Sequence, residues 1–233
     1  IGGGVYGSKI LGWETVGFVE QNEYCQQIIR QRQIDGIFDR SPIFGSIESF
    51  ISEGYAKQYK GMVDIITAGF PCQGWSAPGE HKGESDERNK WPETREAIDI
   101  IRPREVLLEN SPNIMSKGFI FQIIQDLSSL GYVGRATRIS GLHVGASSKR
   151  VRCWIKASLS NSDSNGLEGR NNRTKEWEAS IRSIQGLGKN QIRVDLPDSR
   201  LFRDYNDAAT RKHRLEGIGN AQTPINMALA YAI

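Results

Sequence analysis

The chain has 233 residues, 38% of them hydrophobic before its 25 glycines are counted, 24% charged, with a formal net charge of +3. That is enough to bury a sizeable core and too apolar for a disordered chain, while the slight basic excess permits a polyanionic partner without requiring one. Cys25, Cys72 and Cys153 are far apart and odd in number, which suggests neither a disulfide framework nor a zinc ribbon, and no apolar run reaches the ~18–20 residues of a membrane span, so a soluble protein in a reducing interior is expected.

Short β-rich runs alternate with longer helical patterns. The segment TVGFVE (15–20) reads as a strand, EYCQQIIRQRQ (23–33) as a helix and VDIITAGF (63–70) as a strand. WPETREAIDIIR (91–102) reads as a helix with Pro92 near its start, EVLLEN (105–110) as a strand and FIFQIIQDLSSLG (119–131) as a helix ending at Gly131. YVGRATRIS (132–140) and VRCWIKA (151–157) are two further strands, and PINMALAYAI (224–233) is a helix-like run. This alternation predicts an α/β fold, an open and mostly parallel sheet covered on both faces. The chain opens on IGGGVYG without a methionine and stops inside an apolar run, so both ends read as cut.

Ligands of such sheets sit outside the carboxyl ends of the strands. Cys72 follows one inferred strand and Glu109 terminates another, so both side chains are expected on one rim. Alone, Cys72 could be a buried structural thiol and Glu109 a capping or ion-paired carboxylate; together they fit nucleophilic plus acid chemistry. Gly2, Gly3 and Gly4 precede a helical stretch and a strand ending in Glu20, an arrangement that brings backbone close to a cofactor and an acid to its ribose hydroxyls. His81, His143 and His213 are isolated, and no metal site is expected.

GFPCQGWS (69–76), LLENSPNI (107–114), VGASSKRVRCWIKA (144–157) and IGNAQTP (218–224) occur in an order and spacing that resemble the C5-cytosine DNA methyltransferase family. WETVGFVEQNEYC (13–25) is similar to the family's ribose-binding segment, and RNKWPE (88–93) to the stretch after its nucleophile loop. The likeness covers most of 1–157 and resumes over 211–233. It implies a sheet of the class I AdoMet-dependent methyltransferase type. It also implies a catalytic domain at 1–157, a short target-recognition region at 158–210 and a C-terminal segment, 211–233, returning to the catalytic domain.

The resemblance implies transfer of a methyl group from S-adenosylmethionine to C5 of a cytosine flipped out of double-stranded DNA. Cys72 would add to C6 as the thiolate, aimed by Pro71. Glu109 would hold or protonate N3, and Arg150, with Arg152 less directly, would contact the base or the surroundings of the nucleophile. Asn110 would support the loop, Gln73 and Ser76 would close around the base, and Trp75 is either an anchoring hydrophobe or a stacking surface. Gly2, Gly3, Glu20, Ser46, Pro71 and Asn220 would surround the cofactor.

The sequence departs from the family pattern in three places. The family's first strand and aromatic-glycine start are expected ahead of Ile1. Ser46 stands where an acid usually accepts from the adenine amino group, and as a neutral acceptor it should bind more weakly. Ser148 replaces a Gln or His two residues before Arg150. In the recognition interval, Arg170, Arg173, Arg182, Arg193, Arg200 and Arg203 are candidates for phosphate or guanine contacts. A monomer in the cytoplasm of a bacterium, or encoded by its phage, is expected. The alternatives are a tRNA cytosine methyltransferase and a non-catalytic nucleic-acid-binding relative.

Overall fold

The computed structural model describes residues 3–71, 89–116, 118–144, 150–160 and 224–232. In chain order they form α1 (Gly3–Ile10), β1 (Phe18–Val19), α2 (Glu23–Ile34), β2 (Ile43–Phe44), α3 (Ile47–Ser52), α4 (Tyr55–Gln58) and β3 (Ile65–Ala68). Then come α5 (Trp91–Ile101), β4 (Glu105–Asn110), α6 (Asn113–Ser116), α7 (Phe119–Ser129), β5 (Tyr132–Ser140), a 3-10 turn at Gly141–Val144, β6 (Val151–Leu159) and α8 (Pro224–Ala232).

One sheet has the order β3-β4-β6-β5, and β1 pairs with β2 in a second, two-stranded sheet. The β1–β2 and β3–β4 pairs are parallel, and β6 is antiparallel to both β4 and β5. Since β5 and β4 both oppose β6, they run the same way, and β6 is the single reversed strand of its sheet. The expected alternating α/β order and mostly parallel sheet are present.

Successive residues of β4 and β6 pack on opposite faces of the sheet. Val106 and Leu108 of β4 pack with Cys153 and Ile155 of β6 against Ile98 of α5 and Ile123 of α7, while Leu107 and Trp154 face α1 and α8 through Leu11 and Met227. Helices therefore cover both faces, which is why β4 is buried along almost its whole length. The two-stranded sheet lies under the same helices: α1 packs Val5 and Tyr6 near Phe18, and a second cluster joins Phe44 of β2 and Phe50 of α3 to Ile66 of β3.

Local chemistry explains the helix ends. Asn22 caps α2 by accepting from the Cys25 amide at 3.1 Å, and Pro92 fits the first turn of α5, where an amide hydrogen has no intrahelical partner. The helix after the glycine run begins earlier than expected, taking in Gly3 and Gly4; Gly2 is outside the described residues. Glycine's poor helix propensity, about 1 kcal/mol per residue, is overridden by packing. At Gly7 a Cβ would lie 2.9 Å from the Pro224 carbonyl oxygen, so α1 and α8 meet over a position with no side chain.

Among the described residues, no helix is long and apolar enough to cross a membrane, and no group of three or more His, Cys, Asp or Glu side chains could hold a metal.

Candidate active site

The parallel register of β3 and β4 sets Ala68 beside Leu108, so the chain leaving β3 runs alongside the end of β4. Asn110 spans that edge. Its Nδ2 donates to the Phe70 carbonyl at 3.0 Å and its Oδ1 accepts from the Ser111 amide at 2.8 Å. Asn110 is buried, so these bonds offset the desolvation of its amide. Pro71, the next residue along, is thereby held on the rim occupied by Glu109 and Asn110. Cys72, Gln73 and Ser76 lie outside the described residues, as do Gly2 and Asn220.

Glu109 is buried, with 8% exposure, at the carboxyl end of a central strand. A carboxylate so placed needs a cation. The antiparallel register sets Trp154 directly across from it, and alternate residues toward the start of β6 bring Arg152 diagonally onto the same face. Arg152 Nε lies 2.8 Å from Glu109 Oε1. Arg150 lies one more pleat along, partly buried. Its guanidinium is pushed below the usual arginine range first by burial and then by the Arg152 charge, against which Glu109 acts. A carboxylate and two guanidiniums thus share one end of the sheet. The sequence reading set Arg150, and Arg152 less directly, at the base or around the nucleophile; the structure pairs Arg152 with Glu109, a partner that reading did not assign and that the strand period could have signalled.

Cys153 faces the opposite way into the core, directly across the ladder from Asn110 and fully buried. Burial pushes its thiol up to about 11, with Glu109 adding to the rise and Arg138 opposing it. A thiol held protonated is a packing group.

Glu20 follows β1 at the carboxyl end of its strand, its Oε1 accepting from the Asn22 amide at 2.8 Å. An open depression of about 400 Å³ is lined by Asn22, whose amide Glu20 accepts, and by Glu23, Tyr24 and Gln27. A carboxylate at a strand end suits a ligand that presents hydroxyl donors. Ser46 caps α3, its Oγ accepting from the Ser49 amide at 3.1 Å, which leaves one lone pair for another donor. Gly3 sits at the first residue of α1.

The family model for C-5 cytosine-specific DNA methylase matches residues 1–226. The chain belongs to that family. It is 26% identical over 159 residues to the Type II methyltransferase M.NgoMIV of Neisseria gonorrhoeae, a match that covers 67% of this chain and 48% of that protein. In fold it is similar to a DNMT2 mutant of Spodoptera frugiperda, with a TM-score of 0.56, 20% identity and coverage of 70% of this chain and 48% of that one. It is also similar to a putative DNA modification methyltransferase from an Escherichia coli prophage, with a TM-score of 0.53, 23% identity and coverage of 67% and 43%. These likenesses show the class I AdoMet-dependent methyltransferase fold. The chain spans about half the length of the relatives it matches.

The sequence did not reveal what anchors the flanks of the Cys72 segment. Trp91 packs at a tilt against Phe70 with ring centroids 5.4 Å apart, and its Nε1 donates to Asp126 Oδ2 at 2.7 Å. RNKWPE marked this stretch by resemblance, but the partners come from α7 and β3 and leave no trace in local spacing.

Proposed function

We propose that the chain is the catalytic core of a DNA cytosine-5 methyltransferase, working as a monomer on double-stranded DNA. The observation that carries the reading is the pair of buried Glu109 with partly exposed Arg152 beside the Asn110–Phe70 bond, which delivers Pro71 to the same rim. Family membership supplies the chemistry that this arrangement fits.

Cytosine C5 becomes nucleophilic only when the ring's conjugation is broken. Cys72, as the thiolate, forms a sulfur–carbon bond at C6, and the displaced electron pair moves toward N3 and C5. Glu109, carrying a proton, donates it to N3 in a hydrogen bond or transfers it as that charge develops, and takes it back when the thiolate leaves, lowering the barrier where it is highest. Arg152 fixes the carboxyl group's position, and Arg150 holds the base oxygen with a charged fork. Gln73 and Ser76 close around the flipped base, whose unstacking costs a few kcal/mol offset by such contacts. Asn110 keeps the base of the Cys72 segment against β4.

When bound, S-adenosylmethionine supplies the electrophilic methyl group that C5 accepts. Gly2, Gly3, Glu20, Ser46, Pro71 and Asn220 are the residues that would hold it, and the Glu20 carboxylate that follows β1 would accept from the ribose hydroxyls. Loss of the C5 proton then expels Cys72 and restores aromaticity. Residues 1–157 form the catalytic domain in this reading, 158–210 the recognition region, and 211–233 a segment that rejoins the catalytic domain.

Tritiated S-adenosylmethionine offered with duplex DNA and with tRNA in parallel tests the substrate class. Label in DNA that disappears in Glu109→Gln supports the reading. Label in tRNA alone would transfer the same chemistry to RNA, and label in neither would leave a binding protein.

A further inference from the structure

Two stretches of chain, 69–71 and 89–91, flank the segment that contains Cys72, and the structure ties them together at a single place. The Lys90 amide donates to the Pro71 carbonyl at 3.5 Å, a long bond at the junction itself. Phe70 packs on Trp91 in the core, and Asn89 Oδ1 accepts from the Trp91 amide at 3.2 Å. From outside, Lys90 Nζ reaches Glu48 Oε1 of α3 at 2.5 Å, with Glu93 Oε1 3.9 Å away on the other side. The Lys90 hydrogen bond is the first cause holding the Glu48 carboxyl below the usual carboxylate range.

We propose that Glu48 and Lys90 are positioning residues for methyl transfer, an electrostatic clasp that holds the two flanks of the Cys72 segment against α3. The inference rests on the reading of Cys72 above and names residues to which that reading assigns nothing. The ion pair works at a leverage point. Fixing Pro71, the residue before Cys72, through its bond to Lys90 limits its displacement, and small displacements of a reacting group are costly in rate. The contact is half-exposed rather than core, with side-chain exposures of 24% and 44%, so its global stability contribution is small. A small stability effect with a large rate effect is the signature that separates positioning from ordinary packing.

The test uses the full chain with Glu48→Gln, Lys90→Ala and the swapped double variant Glu48→Lys with Lys90→Glu. The expected result is a fall of about tenfold in kcat for both single variants, with KM for S-adenosylmethionine unchanged and thermal midpoints close to wild type. The swap recovers most of kcat. Hydrogen exchange at the Lys90 and Trp91 amides, which needs no activity, speeds up in the single variants and returns toward wild type in the swap. Unchanged kcat and unchanged exchange in the single variants would overturn the proposal, as would a loss expressed only in KM. If the wild-type chain transfers no methyl group while exchange responds as expected, the ion pair still orders the two flanks, but the reading of Cys72 falls and the role in methyl transfer falls with it.

Discussion

Glu109 and Arg152 set the energetics of the rim because each covers the other's charge. Removing one partner from a buried pair strands the other, which costs more than the pair itself contributes. Arg152→Leu should therefore destabilise the fold by about 3 kcal/mol, measured as a shift of the urea midpoint at constant slope. Adding Glu109→Gln to that variant should recover part of the loss, because the stranded charge is gone. Cys153 gives a second test, with a sign that follows from its raised pKa. Its thiol in the folded state ionises above the ordinary value of about 8.5, so the unfolded chain gives up its proton first on titration. The stability it contributes is complete below about pH 8.5 and is lost as pH rises toward about 11. At pH 8, iodoacetamide should leave Cys153 unmodified in the folded protein and alkylate it in urea. Alkylation of Cys153 under native conditions would contradict its burial.

Helix ends show where chain chemistry and tertiary contact pull apart. Arg102 closes α5 with φ 55°, a left-handed conformation that costs an ordinary residue about 1–2 kcal/mol. Glycine would remove that strain. Yet the Arg102 guanidinium donates to the Leu130 carbonyl at 2.7 Å and lies 5.7 Å from the Tyr132 ring centre, joining the end of α5 to the turn before β5. A charged hydrogen bond is worth about 1.5–3 kcal/mol and the ring contact about 0.5–1 kcal/mol, so the contacts win. Arg102→Gly should destabilise by about 1 kcal/mol net, read by thermal denaturation; a stabilised variant would mean that strain dominates. Ile98→Ala, in the fully buried face of α5, should cost about 2–5 kcal/mol, because the surrounding core cannot collapse onto the gap.

Over the whole molecule, legibility followed the range of the forces involved. EVLLEN matches β4 residue for residue because a buried strand leaves a nearly continuous apolar run, and YVGRATRIS matches β5, a partly exposed strand bounded by Gly131 and Gly141. The two-residue β2 and the short α3 and α4 left no periodic signal, since they are held by Phe44, Phe50 and Ile66 from separate parts of the chain. The position of Glu109 near the end of a strand was readable from the apolar run that precedes it. The site was unreadable where partners meet across elements, as with Arg152, Phe70 and Lys90. That Cys72 does chemistry at the rim defined by Pro71 and Glu109 is therefore the proposition to test most directly. A duplex pool containing 5-fluorocytosine, incubated with the chain and S-adenosylmethionine, traps a covalent intermediate because the fluorine at C5 cannot leave as a proton does. The expected result is a denaturation-resistant protein–DNA adduct, mapped by peptide mass to Cys72 and absent from Cys72→Ser. An adduct that survives Cys72→Ser, or that maps to Cys25 or Cys153, would contradict it.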